Sequence, residues 1–189
     1  MADIRTLAKF IRGASEEKFQ AIETVEEQDD YPLSSAQRRL FILGQMEEQS
    51  ILYNIPNIWE WREVLEPVRL ERVLCEMIDV HESFRTSFRT VSGEPAQVIH
   101  PEVEFDLEVF DRPGDVSTVM REFVRPFDLG KAPLFRVGLL VTGTEENLLL
   151  FDMHHIVSDG VSLQLVIKEF KALAAGKDLP GLKIQYRDY

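Results

Sequence analysis

Apolar positions along this chain change their period several times, and each change marks an expected element. The run Ile4 to Ile11 spaces its apolar residues as a helix does, and Ser15 followed by Glu16, Glu17 and Lys18 predicts a second short helix start. Residues 22–33 break that pattern. They are acidic and end at Tyr31-Pro32-Leu33, where the proline biases its predecessor towards extended geometry, so a linker is expected there and a domain start near Tyr31. From Ser34 the reading alternates: a capped helix over Ser35 to Glu48, a strand over Asn57 to Glu63, a helix over Pro67 to Val80 and a strand around Arg85 to Val91. The turn Ser92-Gly93-Glu94-Pro95 predicts a hairpin into Ala96 to Ile99, and Val103 to Phe110 alternates as a further strand. A helix is expected over Val116 to Val124. The apolar runs Leu134 to Val141 and Leu148 to His155, separated by a turn-rich stretch, predict an antiparallel pair of central strands, with helix resuming at Asp159. The pattern is α/β, without internal repeats or low-complexity tracts.

Composition narrows the classes. A chain of 189 residues with 44% hydrophobic and 29% charged residues can bury a core of its own. No run approaches the roughly eighteen apolar residues of a membrane span, and the first thirty residues mix charges freely, so a soluble, cytoplasmic protein is expected. The net charge of -12, with no basic stripe to offset it, disfavours nucleic acid. Part of that charge sits in Glu16, Glu17, Glu23, Glu26, Glu27, Asp29 and Asp30, which read as a solvated linker. The lone Cys75 lies in a helical run and is expected to be a small buried thiol.

The chemistry concentrates in Phe151 to Ser162, which places His154 and His155 at the end of an apolar strand just before a helix start. Side chains alternate along a strand, so His155 shares a face with Met153 and Phe151, while His154 shares the other with Asp152 and Leu150. Two rings on opposite faces cannot do the same work, and one of them should be structural. An imidazole titrates near neutrality and can accept a proton from an attacking amine or hydroxyl, or hold that nucleophile. Asp159 either caps the following helix or pairs with a distant arginine. Gly160, lacking a Cβ, lets backbone and ligand approach closely. Trp59 and Trp61 share one strand face and read as packing. His81 with Glu82 as an acid-base pair is disfavoured, and His100 before Pro101 reads as an exposed turn residue. Adjacent, oppositely pointing histidines do not form a metal site with Asp159.

The run His154-His155-x-x-x-Asp159-Gly160 resembles the signature shared by chloramphenicol acetyltransferase and the condensation domains of nonribosomal peptide synthetases. Its longer form, from Met153 to Ser162, resembles condensation domains specifically. Ser34-x-Ala36-Gln37-x-Arg39-Leu40-Phe41-x-Leu43 resembles the first motif of that family, and His81-Glu82-x-Phe84-Arg85-Thr86-x-Phe88 the second. Pro126 to Leu129 with Ala132 to Arg136 is similar to the segment before the histidine strand, and Tyr186-Arg187-Asp188-Tyr189 to the start of the fourth motif. The second motif departs from the family at Val80, where arginine is usual, and at Phe84, where leucine is. Residues 1–30 resemble the tail of a carrier protein and the linker that follows it, and residues 31–189 the amino-terminal lobe.

The resemblance implies a chloramphenicol-acetyltransferase-like lobe, a two-layer α/β sandwich whose mainly antiparallel or mixed sheet is packed by helices. It implies amide bond formation between aminoacyl or peptidyl thioesters, with His155 deprotonating or orienting the acceptor amine. It also implies that His154 is structural and that Asp159 pairs with Arg85 to hold the histidine loop. No cofactor is bound directly: substrates ride on the phosphopantetheine arms of donor and acceptor carrier proteins. Family domains are roughly twice this length, so the partners implied include an absent carboxy-terminal lobe and an adjacent adenylation domain. A compact trimeric acetyltransferase and a noncatalytic docking module are the competing readings. An epimerisation domain is disfavoured by the Ser-Ala-Gln of the first motif, and a heterocyclisation domain by the paired histidines.

Overall fold

The computed structural model describes residues 21–47, 49–61, 66–111, 115–141 and 147–189. The expected helices at Ile4 to Ile11 and from Ser15, together with the turn at 142–146, lie outside the described residues. Residues 21–30 carry neither helix nor strand and are mostly exposed. Regular structure then begins with β1 (Tyr31–Pro32) and α1 (Ser35–Met46), followed by β2 (Asn57–Trp61), α2 (Pro67–Val80), β3 (Thr86–Val91), β4 (Glu94–Ile99) and β5 (Glu108–Asp111). The chain continues through α3 (Val116–Phe123), β6 (Phe135–Val141), β7 (Asn147–Met153) and α4 (Gly160–Ala174).

Two sheets form, one in the order β1-β4-β3 and one in the order β2-β7-β6-β5. The β3-β4 hairpin closes through Ser92 and Gly93, whose φ angles of 52° and 89° are those of a two-residue turn matched to strand twist. In the larger sheet the β6-β7 pair is antiparallel, as the spacing of the two apolar runs predicts, and β5 joins the edge parallel to β6. Val103, Phe105 and Leu107 do not form a strand. They are half-buried against the main core, so their alternation records packing of an extended segment whose backbone has no partner strand.

Alternation along β7 separates two cores. Leu149, Phe151 and Met153 face α2 and α4, where they meet Leu70, Leu74, Met77 and Phe170. Leu150 faces the other way, with Leu140 and with Val119 and Phe123 of α3. Trp59 lies on the first of these cores with its ring 3.7 Å from that of Phe151, and Trp61 meets Phe170 edge-on at 5.4 Å, as packing residues do. Cys75, expected to be buried, is exposed, because α2 turns Val73, Leu74, Met77 and Ile78 inward and leaves position 75 on the solvent side. Desolvation of its sulfur, reinforced by Glu71 and Asp79, pushes the thiol up and disfavours a nucleophilic thiolate. His100 is half-buried rather than exposed, its Nε2 paired with Ser87 Oγ at 2.8 Å.

Gly138 of β6 sits in a tight space. A Cβ there would lie 3.1 Å from ring carbons of both Phe110 and Phe123. Replacing Gly138 with valine is expected to destabilise the fold by about 1–3 kcal/mol through overpacking, measurable as a lower midpoint in urea; an unchanged midpoint would show that the rings yield freely.

Candidate active site

The first motif has a local physical meaning before it has a functional one. Ser34 caps α1: its hydroxyl accepts from Gln37 N–H at 3.3 Å, while Gln37 Oε1 accepts from Ser34 N–H at 3.0 Å. This reciprocal capping box satisfies two donors at the helix start. It aims Leu40 and Phe41 at a small cluster that also contains Phe88, Leu129, Leu134 and Ile156. Residues from the first, second and histidine motifs thus share one apolar contact, directly beneath the turn that carries the imidazoles.

That turn begins where β7 ends. His154 N–H donates to Leu134 O at 2.9 Å and His155 N–H to Tyr53 O at 2.8 Å, so the two histidines are held by strips on opposite sides. The His154 ring is buried, and its Nδ1 accepts from Ile156 N–H at 3.1 Å. Acceptance at Nδ1 places the ring proton of the neutral imidazole on Nε2. Burial, assisted by repulsion from His155, lowers its pKa from 6.5 to about 4. His155 instead projects outward, is exposed, and has no side-chain hydrogen bond among the described residues. It lines a cleft of about 450 Å³ whose walls include Arg39 and Leu40 of α1, Thr86, the segment from Ile156 to Asp159, and Tyr186.

Asp159 caps α4. Its Oδ1 accepts from Val161 N–H at 3.0 Å and from the N–H and hydroxyl of Ser162, both at 2.8 Å. These bonds, the Ser162 ones foremost, hold its carboxyl below the usual range. The expected ion pair with Arg85 does not form. Arg85 serves the end of α2, its Nε donating to Ile78 O at 3.1 Å and its Nη2 to Asp79 O at 3.4 Å, while Nη1 reaches His100 O. Each group is occupied by a nearer partner: the helix start for the carboxylate, the helix end for the guanidinium. The cation that does line the cleft with Asp159 is Arg39. A Cβ at Gly160 would meet nothing within 4 Å, so the chain itself places no steric demand for glycine there. With Asp159 occupying the amides of Val161 and Ser162, the helix start is already neutralised by a carboxylate beside His155.

The remaining motif residues pair with one another, and of these Tyr186 lines the cleft. Ser34 Oγ pairs with Tyr186 OH at 3.0 Å, and Arg187 lies 3.3 Å from Glu82 and donates to Tyr31 OH at 3.1 Å. His81 does not partner Glu82. Its Nε2 lies 2.5 Å from Glu169 Oε2, joining α2 to α4. Among the described residues no group of three or more potential metal ligands converges, and no helix is long and apolar enough to cross a membrane.

The mixed α/β fold thus carries an exposed imidazole, His155, facing a cleft just past the end of β7, beside the buried ring of His154. The family model for the condensation domain matches residues 27–189, and the chain belongs to that family. It is 44% identical over 187 residues to tyrocidine synthase 3 of Brevibacillus parabrevis, covering 98% of this chain and 3% of the relative. It is 44% identical over 187 residues to gramicidin S synthase 2 of Brevibacillus brevis, covering 98% and 4%. The fold matches the X-domain from teicoplanin biosynthesis with a TM-score of 0.80 at 24% identity, over 90% of this chain and 39% of that one. It matches the first condensation domain of the CDA synthetase with a TM-score of 0.72 at 21% identity, over 82% and 43%. The chain therefore spans a few per cent of its curated relatives and about two fifths of these solved chains.

Protonation of one histidine and capping by Asp159 each set a measurable stability. The folded-state pKa of His154 lies below its unfolded value, so its stability contribution is complete above about 6.5 and is lost as pH falls through about 4. The loss is about 3 kcal/mol. Asp152, raised from 3.8 to about 6 by burial, works in the opposite sense, stabilising least above 6. His154→Asn keeps an acceptor for Ile156 N–H and removes the titration, so urea midpoints measured between pH 7 and 4 should fall less steeply than in the wild type. Separately, Asp159→Ala should cost about 1 kcal/mol through loss of the cap, read as a lower thermal midpoint, with Asp159→Ser recovering most of it.

Proposed function

We propose that this chain is the amino-terminal half of a condensation domain that forms amide bonds between carrier-bound aminoacyl or peptidyl thioesters in nonribosomal peptide synthesis. In this reading residues 1–30 belong to a carrier tail and linker, and residues 31–189 form the lobe. The single observation that carries the reading is the outward, unengaged ring of His155, presented into a cleft by a turn that the buried His154 secures.

His155 holds the acceptor amine and takes its proton as the nitrogen attacks the donor thioester carbonyl. The C–N bond forms, the C–S bond breaks, and the proton passes to the departing phosphopantetheine thiolate. His154, neutral at its Nδ1 and occupied by Ile156 N–H, has no part in proton transfer. Asp159, Gly160 and Arg85 serve the turn and its flanking helices. The cleft is open, as a long thioester arm requires, and the similar solved chains extend well beyond the length matched here, which supports a second lobe completing the site. The partners of this reading are donor and acceptor carrier proteins and a neighbouring adenylation domain, in the cytoplasm. No diffusible cofactor or metal takes part, and the lobe by itself is inactive.

The test joins this chain to a second lobe and follows dipeptide release from two loaded carrier proteins. His155→Ala should lower the rate by about 10²-fold or more, while His155→Ala and the parent should unfold at similar denaturant. A rate that survives the substitution would overturn the assignment.

A further inference from the structure

Asp152 has no place in the chemistry proposed above, yet it is the most completely buried charged side chain described, with 0% exposure. It occupies the strand position just before Met153 and the two histidines, on the face of β7 that otherwise carries Leu150. A carboxylate there is costly, and well-packed apolar residues in place of a buried ion pair are commonly neutral or stabilising. Fold stability alone does not account for it. Its partners show what it holds together.

Arg136 lies directly across from Asp152 in the β6-β7 register, and its Nη1 donates to Asp152 Oδ2 at 3.0 Å. Asn54 Nδ2 donates to the same oxygen at 2.7 Å. Both donors also hold the segment that leaves α3. Arg136 reaches the carbonyls of Phe123, Arg125 and Pro126 at 3.3, 2.6 and 3.3 Å, and Asn54 reaches Arg125 O at 3.0 Å. The guanidinium is covered by the ring of Phe127, whose centroid lies 3.7 Å from Cζ, and the same ring meets His154 edge-on. Asn54 in turn belongs to the strip that anchors the histidines. It bridges to His154, Tyr53 O accepts from His155 N–H, and Ile55 N–H donates to Met153 O at 2.7 Å. Tyr53 lines both the cleft of His155 and a second cleft of about 610 Å³ beside Phe127 and His154. One carboxylate oxygen thus joins the strip under His155 to the wall of the second cleft.

We infer that Asp152 is a positioning residue for His155, acting through Asn54 on the Tyr53–Ile55 strip and through Arg136 on the Phe123–Phe127 segment, and never touching substrate. The inference rests on the proposed role of His155 for its catalytic meaning, but its geometry can be tested without any turnover. Amide hydrogen exchange of the 189-residue chain reads the hydrogen bonds of His155 and Ile55 individually. Asn54→Ala, a half-buried neutral substitution that keeps the Asp152–Arg136 pair, should speed exchange at those two amides by about tenfold. Exchange at Leu139 and Leu149, in the sheet centre, should change much less. Asp152→Ala should give the same local pattern more strongly, and if it does not fold, Asn54→Ala decides the matter. In the domain completed with a second lobe, Asn54→Ala should lower kcat by about tenfold while leaving KM for the carrier-bound acceptor unchanged. Exchange that rises uniformly across the sheet, or not at all at His155 and Ile55, would show a merely structural pair and overturn the inference. A failure of the wider functional reading is separate: there, His155→Ala leaves turnover intact while the local exchange pattern persists.

Discussion

The N–H of Ile156 donating to Nδ1 of His154 is the contact on which the site depends. It closes a tight turn immediately after β7, sends the first imidazole inward and turns the second outward. The side chain of Ile156 then enters the cluster with Phe41, Phe88, Leu129 and Leu134, so the turn is held by a polar bond above and apolar contact below. A ring that must accept at Nδ1 cannot carry a proton there, and burial of His154 enforces the neutral form that the bond requires. The buried and the exposed histidine are thus set by one turn.

Electrostatics around the turn follow from what each charged group meets first. Asp159 finds two amides and a hydroxyl at the start of α4, and Arg85 finds the open carbonyls at the end of α2. Both are helix-terminal interactions of short range. The buried pair of this region is Arg136 with Asp152, brought together by strand register rather than by a loop. Burial pulls their pKa values in opposite directions, the guanidinium down to about 10 and the carboxyl up to about 6. Such a pair is weak as a source of stability and well suited to fixing register.

The elements with one strong period were legible in the chain itself. The span of α2, the Ser92-Gly93 hairpin, the β6-β7 pair and the packing role of Trp59 and Trp61 follow from spacing, because each depends on neighbours in sequence or on one repeating face. Alternation assigns His155 to the face of Phe151 and Met153, which is buried; the exposure of His155 comes instead from the turn that follows β7. The Val103 to Leu107 alternation misled because burial of every second side chain does not require a partner strand. Cys75 misled because a helical period does not say where the edge of the buried stripe falls.

The amino-acid sequence by itself determined the order of elements, the family and the two imidazoles at a strand end, because these are local patterns written in residue type and spacing. Tertiary structure decided which partner each charge takes: Asp159 its own helix, Arg85 the end of α2, Asp152 the facing strand and Asn54. It also decided that Phe41, Phe88 and Ile156, far apart in the chain, meet beneath the histidine turn. Spacing carries no information about such meetings, since ion pairing and apolar contact depend on distance in space, and that distance is set only when the sheets and helices pack.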